Sequence, residues 1–176
     1  MRLIVSPFLS KEDQEAINKG ISSPQEIVTK DFLDKIGRLK VDSDLLINHT
    51  LECLAYLISV RKIEIKVATV KNGLFHPKIK LFEDSEGYKI AVHGSNNFTS
   101  SGLVHNFEQI NVNANWISKD HAKTIRQLED KFFDLWESKY HDLINVFDLP
   151  TAIKEKIMKD FNPGFPPSSS DYQQAI

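Results

Sequence analysis

Apolar and polar residues alternate in two neighbouring stretches near the middle of the chain, and this period of two predicts a β-hairpin. The predicted strands are Phe75–Phe82 and Tyr88–His93, joined by a turn at Asp84–Gly87. Short apolar or alternating runs predict further strands at Leu3–Val5, Ile63–Val67 and 107–112.

Helices are predicted on both sides of this hairpin in the sequence. Ser10 and Asp13 form a capping-box pattern that places a helix start near Lys11 and an end at Gly20, and Ser23 with Pro24 marks a second start. Apolar residues at three- and four-residue spacing predict the remaining helices at Leu45–Ile58, 119–140 and 152–159, with a short helix or turn at 98–103. These elements together predict an α/β fold, a mixed β-sheet flanked by helices on both faces.

Composition narrows the class of protein without identifying it. The 176 residues fit one domain, and 41% hydrophobic with 26% charged residues is ordinary for a globular protein. No apolar run is long enough to span a membrane, no secretion signal is recognised, and the single Cys53 forms no internal disulfide, so we expect a cytoplasmic protein that does not bind membranes. Proline and serine become frequent after Phe161, which predicts a domain over 1–160 and a linker beginning at 161.

Charge is unevenly distributed. The net charge of −2 argues against a surface coated with basic residues. Between Arg61 and Lys80, however, a single acid, Glu64, accompanies six basic residues: Arg61, Lys62, Lys66, Lys71, Lys78 and Lys80. Such a cluster attracts a phosphate backbone, and the alternative is a strand edge whose lysines prevent edge-to-edge pairing.

The candidate chemistry lies in this hairpin. His76 and Lys78 are two residues apart, so in an extended strand both side chains point to one pocket. An imidazole that attacks phosphorus or carries a proton, beside an ammonium that offsets oxygen charge, suits a phosphoryl centre. Gly94, Ser95 and Asn97 follow in a turn that fixes the orientation of the serine and asparagine. Neither a complete metal-ligand set nor a glycine-rich nucleotide loop accompanies them, so no metal and no cofactor are expected.

The His-x-Lys pair followed by Gly-Ser-x-Asn resembles the phospholipase D (PLD) superfamily. Stretches at 2–10, 63–68 and 149–156 extend the resemblance to the PLD-like nuclease domain that precedes a superfamily 2 helicase motor in bacterial restriction and defence proteins. The resemblance implies a PLD-like fold and a metal-independent nuclease that acts on DNA. It also implies that the segment from 171 onward is the start of a truncated helicase region, so that a helicase motor follows in the full-length protein.

The resemblance also implies roles for individual residues. His76 forms a phosphohistidine, Lys78 and Asn97 hold the phosphate oxygens, and Ser95 supports them. Glu108 orients an imidazole, with an ordinary ion pair as its alternative. The neighbouring residues predicted to bind the substrate are Lys71, Lys80 and Gly94.

The acidic position departs from the family pattern. The wider family has an aspartate where this chain has Glu83, and Asp84 comes one residue later. On a strand these two side chains face opposite ways, and Asp84 shares the parity of His76 and Lys78. Regular geometry therefore favours Asp84 at the site, although a bulge at the turn reverses the choice.

Two other functions are consistent with the motif. A catalytically inactive module of the same fold would bind DNA or dimerise a helicase, because a fold can outlive its activity. A lipid phosphodiesterase is disfavoured because the chain has no recognised lipid anchor or amphipathic basic helix. For the nuclease, one His-x-Lys supplies only half of a two-histidine site, so we expect a homodimer with a shared active site.

Overall fold

The computed structural model describes residues 1–42, 45–70, 75–94, 110–140 and 143–161. In chain order these residues form β1 (Arg2–Val5), α1 (Lys11–Asn18), α2 (Pro24–Asp42), α3 (Leu45–Ser59), β2 (Glu64–Val70), β3 (Ile79–Glu83), β4 (Lys89–Gly94), β5 (Ile110–Ala114), α4 (Lys119–Trp136), β6 (Ile144–Asp148) and α5 (Thr151–Phe161). The predicted α/β class and PLD-like fold are confirmed.

Local side-chain chemistry sets the starts of the first helices. Ser10 Oγ accepts a hydrogen bond from the Asp13 backbone N–H at 3.0 Å, as the capping pattern predicts. At α2 the bonds are reciprocal: Ser23 Oγ accepts from Glu26 N at 3.2 Å, and Glu26 Oε2 accepts from Ser23 N at 3.0 Å. Gly20, with φ of +68°, follows the end of α1 in a conformation that favours glycine.

The chain divides into two compact units, of which the first comprises 1–74 and 141–176. Its sheet has the order β1-β2-β6, with β1 parallel and β6 antiparallel to the central strand, so it is mixed. The core joins α2, α3 and α5 to this sheet through Val28, Ala55, Val67, Ile153 and Ile157. Strand β6 was not predicted from the sequence, although its Ile144-Asn-Val-Phe run alternates partly and contains β-branched residues.

The second unit is 75–140. Its antiparallel sheet has the order β3-β4-β5, with Ile79 opposite His93 and Glu83 opposite Lys89 in the hairpin. One face packs on α4, where Ala91 contacts Ile125 and Leu128 in a core that Ile79 and Leu81 complete. The hairpin and α4 belong to one unit, and the His-x-Lys segment directly precedes its first strand.

The prediction of one domain over 1–160, with a linker from 161, stays a prediction, since 162–176 lie outside the described residues. No described helix is long and apolar enough to cross a membrane.

Candidate active site

The side chains of His76 and Lys78 meet just before β3 begins. Lys78 Nζ lies 3.0 Å from His76 Nδ1 and 2.8 Å from His76 Nε2. An ammonium has donors only and the two ring nitrogens point in different directions, so at most one of these contacts is a hydrogen bond. His76 is exposed and Lys78 is half-buried. The arrangement therefore places a lysine ammonium beside a solvent-exposed imidazole.

The predicted strand over Phe75–Phe82 is shorter than expected at its start, because β3 begins only at Ile79. His76 and Lys78 therefore precede the sheet instead of lying in it. Lys80 does lie in β3, where it pairs with Val92 of β4 and is half-buried.

Asp84 occupies the turn of the hairpin, at the end opposite His76. Its Oδ1 accepts hydrogen bonds from the backbone N–H groups of Glu86 and Tyr88, both at 2.9 Å. Strand β3 ends at Glu83, so the parity argument that placed Asp84 with His76 does not apply. The Asp84 carboxylate organises the turn, and its role at the site stays a prediction.

Glu83, the other candidate for the acidic position, also lies away from His76 within one chain. It is the last residue of β3, about 17 Å from Lys78 at an extended rise of about 3.3 Å per residue. Its Oε2 lies 3.5 Å from Lys89 Nζ, which is also 2.6 Å from Glu129 Oε1 on α4. The hydrogen bond to Glu129 raises the pKa of Lys89, with smaller contributions from the charges of both glutamates. These three residues form an ion-pair cluster that joins the hairpin to α4.

Gly94 ends β4, opposite Ile110 of β5. Its φ of 150° lies in a region that side chains other than glycine rarely adopt, which explains a glycine at the start of the Gly-Ser-x-Asn segment. The other predicted site residues, Lys71, Ser95, Asn97 and Glu108, lie outside the described residues. Their roles stay predictions.

His93 lies on the opposite sheet face from Lys80. It pairs with Ile79 in the hairpin, and Ile79 packs on the α4 core. His93 is half-buried, and its Nε2 is 3.4 Å from Asn113 Nδ2 on β5. This position favours a structural role in the hairpin over a role beside His76.

The basic cluster predicted between Arg61 and Lys80 is divided between the two units. Arg61, Lys62 and Lys66 belong to the first unit, where Lys66 Nζ lies 3.7 Å from Asp148 Oδ1 across the β2–β6 pair. Lys78 and Lys80 belong to the second. Among the described residues, no group of three or more His, Cys, Asp or Glu side chains is placed to hold a metal ion.

Comparison with known families agrees with the motif. The family model described as cardiolipin synthase, PLD-like domain, matches residues 25–136, which include the whole hairpin and all of α4. No curated protein and no solved structure matches the chain. Because the family match covers well over half of the 176 residues, the chain belongs to the phospholipase D superfamily as a protein with a PLD-like domain.

Proposed function

We propose that this protein is a metal-independent nuclease domain that cleaves DNA through a phosphohistidine at His76. Its PLD-like domain indicates phosphodiesterase-type activity. The observation that carries the assignment to His76 is the contact of Lys78 Nζ with both ring nitrogens, at 2.8 and 3.0 Å. That contact places a candidate nucleophile and a phosphate-binding cation side by side, with the imidazole exposed to solvent.

In the proposed reaction, a lone pair of the neutral His76 imidazole attacks phosphorus and an N–P bond forms. The P–O bond to the leaving nucleotide breaks, and a second histidine gives its proton to the leaving oxygen. Lys78 moves its hydrogen bonds from the imidazole to the non-bridging oxygens, where it stabilises their negative charge. Water then attacks the phosphohistidine with its proton passing to the second histidine, the N–P bond breaks, and free His76 returns.

The second histidine is proposed to come from a partner copy. A single His-x-Lys pair supplies one nucleophile, whereas the two steps require an acid on the far side of phosphorus. A two-fold dimer that brings two His76 residues together would supply both. Light scattering at the assay concentration tests this point, since a strictly monomeric protein that cleaves DNA is incompatible with a shared site.

A cleavage assay in EDTA tests the nuclease. We expect His76→Ala to abolish cleavage and His49→Ala, which removes a histidine from α3 in the other unit, to retain it. Both variants should show the far-ultraviolet circular dichroism of the wild type. Wild-type cleavage by a nuclease-free His76→Ala sample would refute the assignment.

A catalytically inactive DNA-binding or dimerisation module is the second candidate. The observation that favours it is the position of Asp84 and Glu83, whose carboxylates engage the turn and Lys89 instead of His76. Under this alternative the wild type binds DNA, and its cleavage does not exceed that of His76→Ala. The association with a helicase motor rests on the sequence resemblance and is proposed on that basis alone.

A further inference from the structure

The sheet of the second unit has one face that α4 covers and one that it does not. Ile79, Leu81 and Ala91 point to α4, so the alternate positions of the same strands point away from it. We call this second side the outer face. Its described strand positions are Lys80, Phe82, Ile90, Val92, Gly94, Ile110, Val112 and Ala114, of which Ala114 is buried. Phe82 is 54% exposed and Val112 is 52% exposed.

Two more exposed aromatic side chains extend the outer face at its turn end. Tyr88 is 55% exposed and precedes Ile90 by two residues, and Trp116 is 54% exposed and follows Ala114 by two. Their ring centroids are 5.5 Å apart with the planes at 87°. Exposed apolar groups that adjoin one another mark interaction sites, whereas isolated ones need no explanation.

Charged and aromatic side chains lie at different ends of the outer face. Among the described strand positions of this face Lys80 is the charged residue and none is acidic. His76 and Lys78 lie just before β3, and the exposed Asp84 lies in the turn beside Tyr88. Glu83 and Lys89 lie opposite each other on the α4 side, where Lys89 contacts Glu129. The outer face thus has cations at the His76 end and three aromatic rings at the turn end.

Single-stranded nucleic acid presents the complementary pattern. Its phosphates bind lysines, and each unpaired base has an apolar surface that stacks on an aromatic ring whatever the sequence. In a duplex the bases are already stacked on each other, so a double strand gains nothing from exposed rings. A second copy of this chain would bury the apolar groups but would bring its own lysines to the same contact.

We propose that the outer face is a stacking platform for unpaired bases, which makes the nucleic acid bound by the second unit single-stranded. The strand follows β3, with phosphates towards His76 and Lys78 and bases on Phe82, Tyr88 and Trp116. The identification of this strand as the substrate rests on the proposed nuclease function.

The test uses the full chain with His76→Ala, so that bound strands stay intact, in EDTA. Trp136→Phe leaves Trp116 as the emitting tryptophan, because the chain has two. The ligand is an oligothymidylate of about twelve nucleotides, a length within the range of about 4–16 nucleotides that single-strand binding modules occupy. It is compared with its duplex and with an abasic strand that has the same phosphates and no bases.

We expect the oligothymidylate to quench Trp116 and to bind at least about fivefold more tightly than the abasic strand, the effect of about one base stack. Phe82→Ala and Tyr88→Ala should each weaken binding by at least about fivefold, and Phe8→Ala, at a 78% exposed phenylalanine in the other unit, should not. Equal binding of the abasic strand without quenching overturns the platform. So does preferential binding of the duplex.

Two further results overturn the proposal by identifying another occupant. If Phe82→Ala and Tyr88→Ala dissolve an oligomer and leave nucleic-acid affinity unchanged, a second copy covers the face. If phosphatidylglycerol vesicles shift Trp116 emission to the blue while the oligothymidylate does not quench it, the face binds membranes. Failure of the nuclease is a separate result: base-dependent quenching without any cleavage by the wild type keeps the platform and removes the nuclease.

Discussion

Replacing Asp84 tests whether its carboxylate has a structural or a catalytic role, and the effect on stability can be worked out from its hydrogen bonds. Asp84→Ala removes the acceptor of two backbone hydrogen bonds, from Glu86 N and Tyr88 N at 2.9 Å each. The backbone bonds between Asp84 and Tyr88 or Gly87 are retained. Asp84 is exposed, so water reaches the freed N–H groups and each lost bond costs the lower part of the usual range.

We therefore expect Asp84→Ala to lower the free energy of unfolding by about 1–2 kcal/mol, from two bonds of about 0.5–1 kcal/mol each. At about 2–4 °C per kcal/mol for a chain of this size, the melting temperature should fall by about 2–8 °C. Asp84→Asn keeps an oxygen acceptor at the same position and removes the charge. It should melt within about 2 °C of the wild type.

The assay combines thermal unfolding followed by circular dichroism with cleavage of a labelled oligonucleotide in EDTA, normalised to the folded fraction. Both variants should cleave at the wild-type rate per folded molecule, because the turn lies at the far end of β3 from His76. Glu83→Gln is the matched comparison for the neighbouring carboxylate. An Asp84→Asn protein that melts like the wild type and has lost most of its cleavage would show that the charge serves the chemistry.

The other predictions concern stability. Lys89→Met should lower the free energy of unfolding by about 1–2 kcal/mol in urea titrations, because the 2.6 Å hydrogen bond to Glu129 is lost. The folded pKa of Lys89 is raised above 10.5, so its contribution to stability is complete below that pH and is lost as pH rises through the folded pKa. A Lys89→Met protein that still loses as much stability at alkaline pH as the wild type contradicts this prediction. Hydrogen bonds from the Ser23 backbone and hydroxyl lower the pKa of Glu26 from 4.5, so its contribution is complete above that pH and is lost as pH falls through the lower folded pKa. Glu26→Gln should reduce the acid sensitivity of unfolding, and an unchanged acid profile argues against it. Ile153→Ala, at a fully buried position in α5, should cost about 2–5 kcal/mol, and a loss below about 1 kcal/mol would mean that the core collapses into the space.

Features set by neighbouring residues were predictable from the sequence. The helix starts at Lys11 and Pro24 follow from serine caps, and the hairpin follows from alternation around the Asp84–Gly87 turn. The apolar spacing over 119–140 also predicted α4, in which Ile125 and Leu128 are buried. In each case the interaction that decides the structure lies within a few residues along the chain.

Features that depend on exact strand ends or on distant pairing were not predictable. The orientation of Asp84 depends on where β3 ends: the strand ends at Glu83, and the Asp84 carboxylate accepts hydrogen bonds in the turn. Strand β6 depends on pairing with β2, far away in sequence. The exposed aromatic positions had a sequence signal, apolar residues on both parities of the hairpin strands, but the structure is needed to show which parity packs on α4.

The central claim is that His76 is the nucleophile of a phosphodiesterase, and trapping the covalent intermediate tests it most directly. The wild type is mixed with substrate in EDTA, quenched within one turnover at alkaline pH, digested and analysed by mass spectrometry. We predict a nucleotide adduct on the peptide that contains His76, and neither adduct nor cleavage for His76→Ala. Cleavage that proceeds without this adduct, or that His76→Ala retains, would contradict the account.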